Sequence, residues 1–360
     1  MLKNYLKIAL RNLRRYKQYA LINIVGLAVS LACLIFILLF VKHEWSYDRF
    51  QADADRIYRV AQDVYFRGAW VRVAVTPPIM APALPQEFPE IQKAGRVVFR
   101  REWLIARGNK KFTANLQFVD PEIVSLMSID MIMGDAEALR RSHTVAISQT
   151  WAQKLFGSDN PIGQTLRLNN RWDLEVVGVF RDYPENSHLY FEVMISLETL
   201  RTLWGPRALE NENSNNYYTY ILLDEHAEPA AVEAKLPAFI RKFYGEHGPQ
   251  TRRAFLESLP SIYLHSETLY DVRSSGNAYY LYILLAVALA VLGIACMNFI
   301  NLATAQSLRR AREIGVRKVC GGNRWAILRQ FLAESVIVSL LAFALALAMA
   351  ELLMPVFVNL

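Results

Sequence analysis

Three uncharged apolar runs, set apart by one long mixed stretch and one short basic stretch, limit what this chain can become. The first, from Tyr19 to Val41, carries no charged residue. As a helix it would reach about 33 Å, enough for a hydrocarbon core of about 30 Å. The second, from Tyr279 to Ala303, is also uncharged. The third lies between Glu334 and Glu351, about 26 Å of helix, which places both carboxylates near the interfaces and away from the costly bilayer centre. The first run is longer than the roughly 7–15 residues of a signal-peptide core, and no small-x-small site follows it, so it reads as an anchor. Tyr279, Tyr280 and Tyr282 open the second run as an aromatic belt would.

The net charge of +7 could point to nucleic acid, but its placement points to a membrane. Lys3, Lys7, Arg11, Arg14, Arg15 and Lys17 precede the first run with no acidic residue among them. Arg309, Arg310, Arg312, Arg317, Lys318 and Arg324 crowd between the second and third. Basic residues that flank spans on one side mark the cytoplasmic face. The reading is therefore a cytoplasmic N-terminus, residues 42–278 outside, 304–330 inside, and a C-terminus outside. The expected divisions are 1–18, 19–41 (span one), 42–278, 279–303 (span two), 304–330, 331–354 (span three) and a tail 355–360. Over 1–18, Leu2, Leu6, Ala9, Leu10, Leu13 and Tyr16 gather opposite Lys3, Lys7, Arg11 and Arg14, with Ile8 and Lys17 as exceptions, as in an interfacial amphipathic helix. A plain basic flank is the alternative.

The fold class is thus a membrane protein with three α-helical spans and a large α+β extracytoplasmic domain between spans one and two. Cys33, Cys296 and Cys320 are the cysteines, and none falls between Lys42 and Ala278. The outer domain cannot be held by disulfides of its own; about 230 residues suffice for an ordinary core. Alternation over Lys111–Phe118 and Trp172–Val179 predicts strands. Ser148–Phe156 predicts a short helix stopped by Gly157. Turns are expected at Thr76-Pro77-Pro78, Asn160-Pro161-Ile162-Gly163 and Tyr183-Pro184-Glu185-Asn186. Strands and helices in irregular order predict an α+β domain with room for two lobes.

Catalytic and cofactor motifs are missing from the sequence. His43, His143, His188, His226, His247 and His265 stand apart from one another, with no metal-ligand spacing. There is no G-x-S-x-G and no H-E-x-x-H. Gly321-Gly322 is the one adjacent glycine pair, and it lacks the frame that cradles nucleotide phosphates. No catalytic, metal or cofactor residue is assigned, and any ATP hydrolysis belongs to another chain.

The basic stretch holds the most information. Leu308, Ala311, Gly315 and Val319 share a helical stripe among cations. Gly321-Gly322 breaks that helix, and Asn323 can cap the next. The residues alone leave two readings open: a short helical hairpin projecting into the cytoplasm, or a simple positive-inside loop.

IACMNFINLATAQSLRRAREIGVRKVCGGNRWAILRQFLAES resembles the FtsX-like permease domain, whose R-x-R-E-I-G-x-R-K-x-x-G pattern falls on Arg310, Arg312, Glu313, Ile314, Gly315, Arg317, Lys318 and Gly321. The opening KIALRNLRRYKQYALINIVGLAVSLA resembles the start of the same proteins. SQTWAQKLFGSDNPIGQTLRLNNRWDLEVVGVFRDYPENSHLYFEVMIS is similar to the MacB-type periplasmic core. The resemblance implies the permease subunit of an ABC transporter in a bacterial plasma (inner) membrane. Closure of a cytoplasmic ATPase would be carried through the spans to the outer domain, for export, lipoprotein handling or envelope signalling. It also implies a second permease unit, as a homodimer or a duplicated half, and an envelope partner. On this reading Arg310, Arg312, Glu313, Ile314, Arg317 and Lys318 shape an ATPase-coupling hairpin, Gly315 permits close approach, and Gly321 with Gly322 makes the turn. Glu334 matches a glutamate common at the start of the following span, as a polar span contact or a helix start. The family's unit usually has a fourth span, so the chain reads as a truncated or first-half copy. A membrane-anchored sensor or scaffold without transport is the competing reading.

Overall fold

The computed structural model describes residues 11, 17–273, 276–309, 315, 316, 319 and 324–358. The amphipathic helix expected over 1–18 lies outside these residues, apart from Arg11, Lys17 and Gln18. The chain divides into two compact units, one of Met1–His43 with Ala278–Leu360 and one of Glu44–Asn277.

The first unit is built on three long helices, Lys17–Trp45, Ala278–Arg309 and Arg324–Val358. Lengths of apolar helix sufficient to cross a bilayer cover Lys17–Trp45, Ala278–Ala305 and Leu328–Val356. The third segment therefore takes in both Glu334 and Glu351, and its helix runs through Pro355 to Val358 instead of ending at the proline.

Small side chains set the packing of these helices. Ala28 and Ala32 of the first helix are buried in one cluster with Ala342 and Ala346 of the third, flanked by Leu27, Leu31, Ile35 and Met349. Residues four apart share a face, and methyl-sized side chains let two backbones approach closely. Between helices in lipid, such close approach replaces the missing hydrophobic drive. A Cβ on Gly26 would stand 3.6 Å from the Asn298 side-chain amide on the second helix.

In the second unit, eleven strands among the described residues join one mixed sheet. They are β1 (Ile57–Phe66), β2 (Ala69–Val73), β3 (Ile91–Arg107), β4 (Lys110–Val119), β5 (Met131–Gly134), β6 (Thr144–Ser148), β7 (Thr165–Leu168), β8 (Trp172–Phe180), β9 (Val193–Ser196), β10 (Tyr218–Leu223) and β11 (Arg252–Ser258). The order is β11-β1-β10-β3-β4-β9-β6-β8-β5, with β2 beside β1 and β7 beside β3 and β8. The pairs β4–β9 and β6–β8 are parallel and the others antiparallel.

The long strand β3 connects the two ends of the sheet. Its first half pairs with β10 and its second half with β4 and β7. A register shift between Arg100 and Trp103, where Glu102 takes φ 58°, bends the strand at mid-length. A bulge of this kind raises the local twist. Every residue of β6, β9 and β10 is buried, as strands covered on both faces require. Three apolar clusters pack against the sheet, around Phe180 and Met194, around Trp151 and Leu174, and around Leu84 and Phe239.

Candidate coupling segment and outer-domain site

The expected hairpin is only partly visible. Arg310, Arg312, Glu313, Ile314, Arg317, Lys318, Gly321 and Gly322 lie outside the described residues. Gly315, Val316 and Val319 are helical and exposed, with Val316 at 65% and Val319 at 89%. Trp325, near the start of the third long helix, is 67% exposed. A Cβ on Gly315 would meet nothing within 4 Å, so packing within the described chain does not demand glycine there. The helix Ala278–Arg309 has 32 residues and Arg324–Val358 has 35. At about 1.5 Å per residue each is roughly 50 Å long, well beyond a hydrocarbon core of about 30 Å. Part of the stretch expected as a separate hairpin, 304–309 and 324–330, is thus an extension of these helices. Glu334 accepts a hydrogen bond from the Gln330 side chain, one turn earlier, at 3.2 Å.

Clefts open on the outer domain. One of about 650 Å³ is lined by Pro82, Pro85, Lys93, Pro121, Glu122 and Arg140. Another, about 540 Å³, is lined by Trp151, Asp182, Tyr183, Glu185, Tyr190 and Arg273. Two carboxylates lining the second, Asp182 and Glu192, already serve the fold. Asp182 accepts from the Thr150 backbone at 3.0 Å and hydroxyl at 2.8 Å. Burial would raise it, but these bonds outweigh burial and hold it below the ordinary carboxylate range. Glu192 accepts from the Asn115 N–H at 3.1 Å. No group of His, Cys, Asp or Glu suited to a metal gathers among the described residues.

The chemistry-bearing groups of this domain instead form a buried polar network. Arg59 on β1 is fully buried, with Glu257 of β11 at 2.6 Å and Asp271 bridged to it as well. Its guanidinium also donates to Ser266 at 2.9 Å and Thr268 at 3.1 Å. Burial would lower an isolated guanidinium, but Tyr220, Glu257 and Asp271 more than offset it and raise the value. A second knot joins Asp48 to His188. The carboxylate accepts from the Ser187 hydroxyl, from the His188 N–H at 3.1 Å and from His188 Nδ1 at 2.8 Å. A carboxylate can only accept, so Nδ1 carries a proton; in the neutral ring Nε2 accepts from the Tyr220 hydroxyl, 2.8 Å away. None of Asp48, Arg59, His188 or Asp271 stood out in the sequence. His188 sits 140 residues from Asp48 and 32 from Tyr220, beyond any local pattern.

Comparison with known proteins agrees with this architecture. Residues 20–239 match the MacB-like periplasmic core domain family, and residues 283–360 match the FtsX-like permease C-terminal family. The chain belongs to the MacB-like periplasmic core domain family and carries an FtsX-like permease C-terminal region. It is similar to the macrolide export ATP-binding/permease protein MacB of Chlorobium luteolum, 25% identical over 251 residues that cover 68% of this chain and 34% of that protein. The MacB of Neisseria gonorrhoeae is likewise 25% identical, over 243 residues that cover 65% of this chain and 34% of that protein. The chain spans about a third of the length of the curated relatives it matches. Among solved structures, a domain of a permease protein from Porphyromonas gingivalis shares the fold, with a TM-score of 0.51 and 19% identity, covering 58% of this chain and 91% of that one.

Proposed function

We propose that this chain is the membrane permease part of an ABC transporter, and that it converts ATP-driven closure of an ATPase outside residues 1–360 into displacement of the Glu44–Asn277 domain. The carrying observation is the pairing of an FtsX-like permease region at 283–360 with a MacB-like core at 20–239. Three helices long enough to cross a membrane support it. If all three cross, the domain between the first and second and the basic segment between the second and third face opposite sides. The many cations of that segment assign it to the cytoplasm. Two helices longer than the bilayer is thick make stiff levers, and the exposed Val316, Val319 and Trp325 offer apolar surface beside the basic residues for an ATPase to grip. Arg310, Arg312, Glu313, Ile314, Gly315, Arg317, Lys318, Gly321 and Gly322 form that grip, and Glu334 steadies the start of the third span. The curated relatives carry export in their names, which supports export as the work the displaced domain performs.

The test is co-purification from native membranes. Charge reversal at Arg312 and Arg317 should cut recovery of the ATPase at least about tenfold, the loss of roughly 1.4 kcal/mol of binding, and leave membrane insertion intact. Equal recovery of the ATPase with wild type and variant would remove the docking role. Recovery of an envelope hydrolase and no ATPase would favour the anchored sensor or scaffold.

A further inference from the structure

The loop Tyr183–His188 sits between the two segments that join the outer domain to the first and second long helices, and it bonds to both. On one side is the segment that follows the first helix. The Asn186 amide donates to the Ser46 carbonyl at 3.2 Å and hydroxyl at 3.0 Å. The Asp48 N–H donates to the Asn186 carbonyl at 2.9 Å, and the Asp48 carboxylate takes the Ser187 and His188 bonds described above. Gln51 donates to the Tyr183 hydroxyl, which in turn donates to the Met127 carbonyl at 3.2 Å. On the other side is the segment that leads to the second helix. There the Arg273 guanidinium donates to the Glu185 carbonyl at 2.9 Å and the Ser187 carbonyl at 3.1 Å, and lies over the Tyr190 ring at 5.1 Å.

The same two segments meet again at Tyr263. Its ring stacks on Tyr47 with centroids 3.5 Å apart, and its hydroxyl donates to Glu44 at 3.0 Å. A Cβ on Gly276 would lie 2.7 Å from that ring and 3.1 Å from the Glu44 carboxylate. Glycine at 276 is what lets the chain close on Tyr263. Asp271, in the same outgoing segment, is bound to Arg59 on β1.

We infer that the Tyr183–His188 loop and Tyr263 act as a clasp, and that Asp48, Asn186, His188 and Arg273 are positioning residues that make the two connecting segments and the sheet move as one piece. This inference rests on the permease reading above and specifies where a displacement enters the outer domain. Two separate tethers would let the domain pivot about either one, and a movement of one helix would be spent in slack. With both segments bonded to one short loop, which is itself anchored between β8 and β9, displacement of either helix reaches the sheet. Most of these bonds are buried, or accept a charged donor or acceptor, the stronger and less water-exchangeable kind.

The experiment uses the full chain in detergent micelles, with Asp48→Ala, Arg273→Ala and the milder Asn186→Ala, read by hydrogen exchange. Each variant should speed exchange about tenfold or more in both segments, 46–51 and 266–273, although each removes a contact to only one of them. Protection of β6 and β8 should stay unchanged, which shows that the domain remains folded. Faster exchange confined to the mutated side would overturn the clasp. With the co-purified ATPase present, addition of ATP and vanadate should change exchange across the outer domain of the wild type and not of Asn186→Ala or Arg273→Ala, while ATPase recovery stays equal. A full nucleotide response in those variants would also overturn it. A wild type that recovers no ATPase and shows no nucleotide response overturns the permease reading, and the two-sided loosening still decides the clasp by itself.

Discussion

Asp48 and His188 show how two residues, neither notable in the sequence, become a joint. Burial by itself would raise the Asp48 carboxyl, but the His188 ring and the bonds from Ser187 and His188 outweigh burial and hold it below the ordinary range. A carboxyl lowered in the folded state contributes stability that is complete above its unfolded value, about 3.9, and is lost as pH falls through the folded one. The outer domain should therefore lose thermal stability as pH falls below about 4. Asp48→Asn should cost about 1–3 kcal/mol near neutrality and lose less on acidification, so the two melting curves converge in acid. Parallel curves down to pH 2 would show that Asp48 is not ionised in the clasp. Among the residues picked out from sequence, Ser148 and Gly157 were legible because their partners are local. Ser148 accepts from the Trp151 N–H and Gly157 takes φ 64°, the start and stop of the helix Gln149–Phe156. Arg59 was not legible, because Glu257 and Asp271 lie 198 and 212 residues away.

At the scale of elements, period-two alternation located β4 and β8, and continuous apolar runs located the three long helices. Order in the sheet was beyond such patterns. Val145 and Val176 pair in parallel across β6 and β8, and nothing in either short run names the other as neighbour. The β5–β8 edge depends on one backbone position. Gly134 takes φ 81°, and a Cβ there would fall 2.0 Å from the Val177 carbonyl oxygen. Gly134→Ala should cost about 1–3 kcal/mol from the backbone conformation alone, and more because a strand backbone must shift. Urea unfolding followed by tryptophan fluorescence would show this as a lower midpoint at unchanged slope. A midpoint equal to that of the wild type would mean that β5 is not part of the cooperative unit.

At the scale of the whole molecule, the proposed topology makes a prediction independent of any partner. In a background with Cys33, Cys296 and Cys320 replaced by serine, Asn213→Cys should react with an impermeant maleimide from the outer side in right-side-out vesicles. Arg317→Cys should react only after the vesicles are opened. Labelling of both from one side would contradict three crossings, and with them the transmission of a cytoplasmic movement to the outer domain.

What the sequence determined alone was the division of the chain: three membrane-length helices, a basic segment between the last two, and a disulfide-free α+β domain between the first two. Those features are set by hydropathy, charge and local turn chemistry, all of which act within a few residues. Only the tertiary structure decided that one sheet runs through the domain, and that Asp48, Arg59, His188, Tyr263 and Arg273 draw its two connections together. Those contacts join residues far apart in the chain, and their partners are chosen by burial and by the need to pair each polar group that burial removes from water.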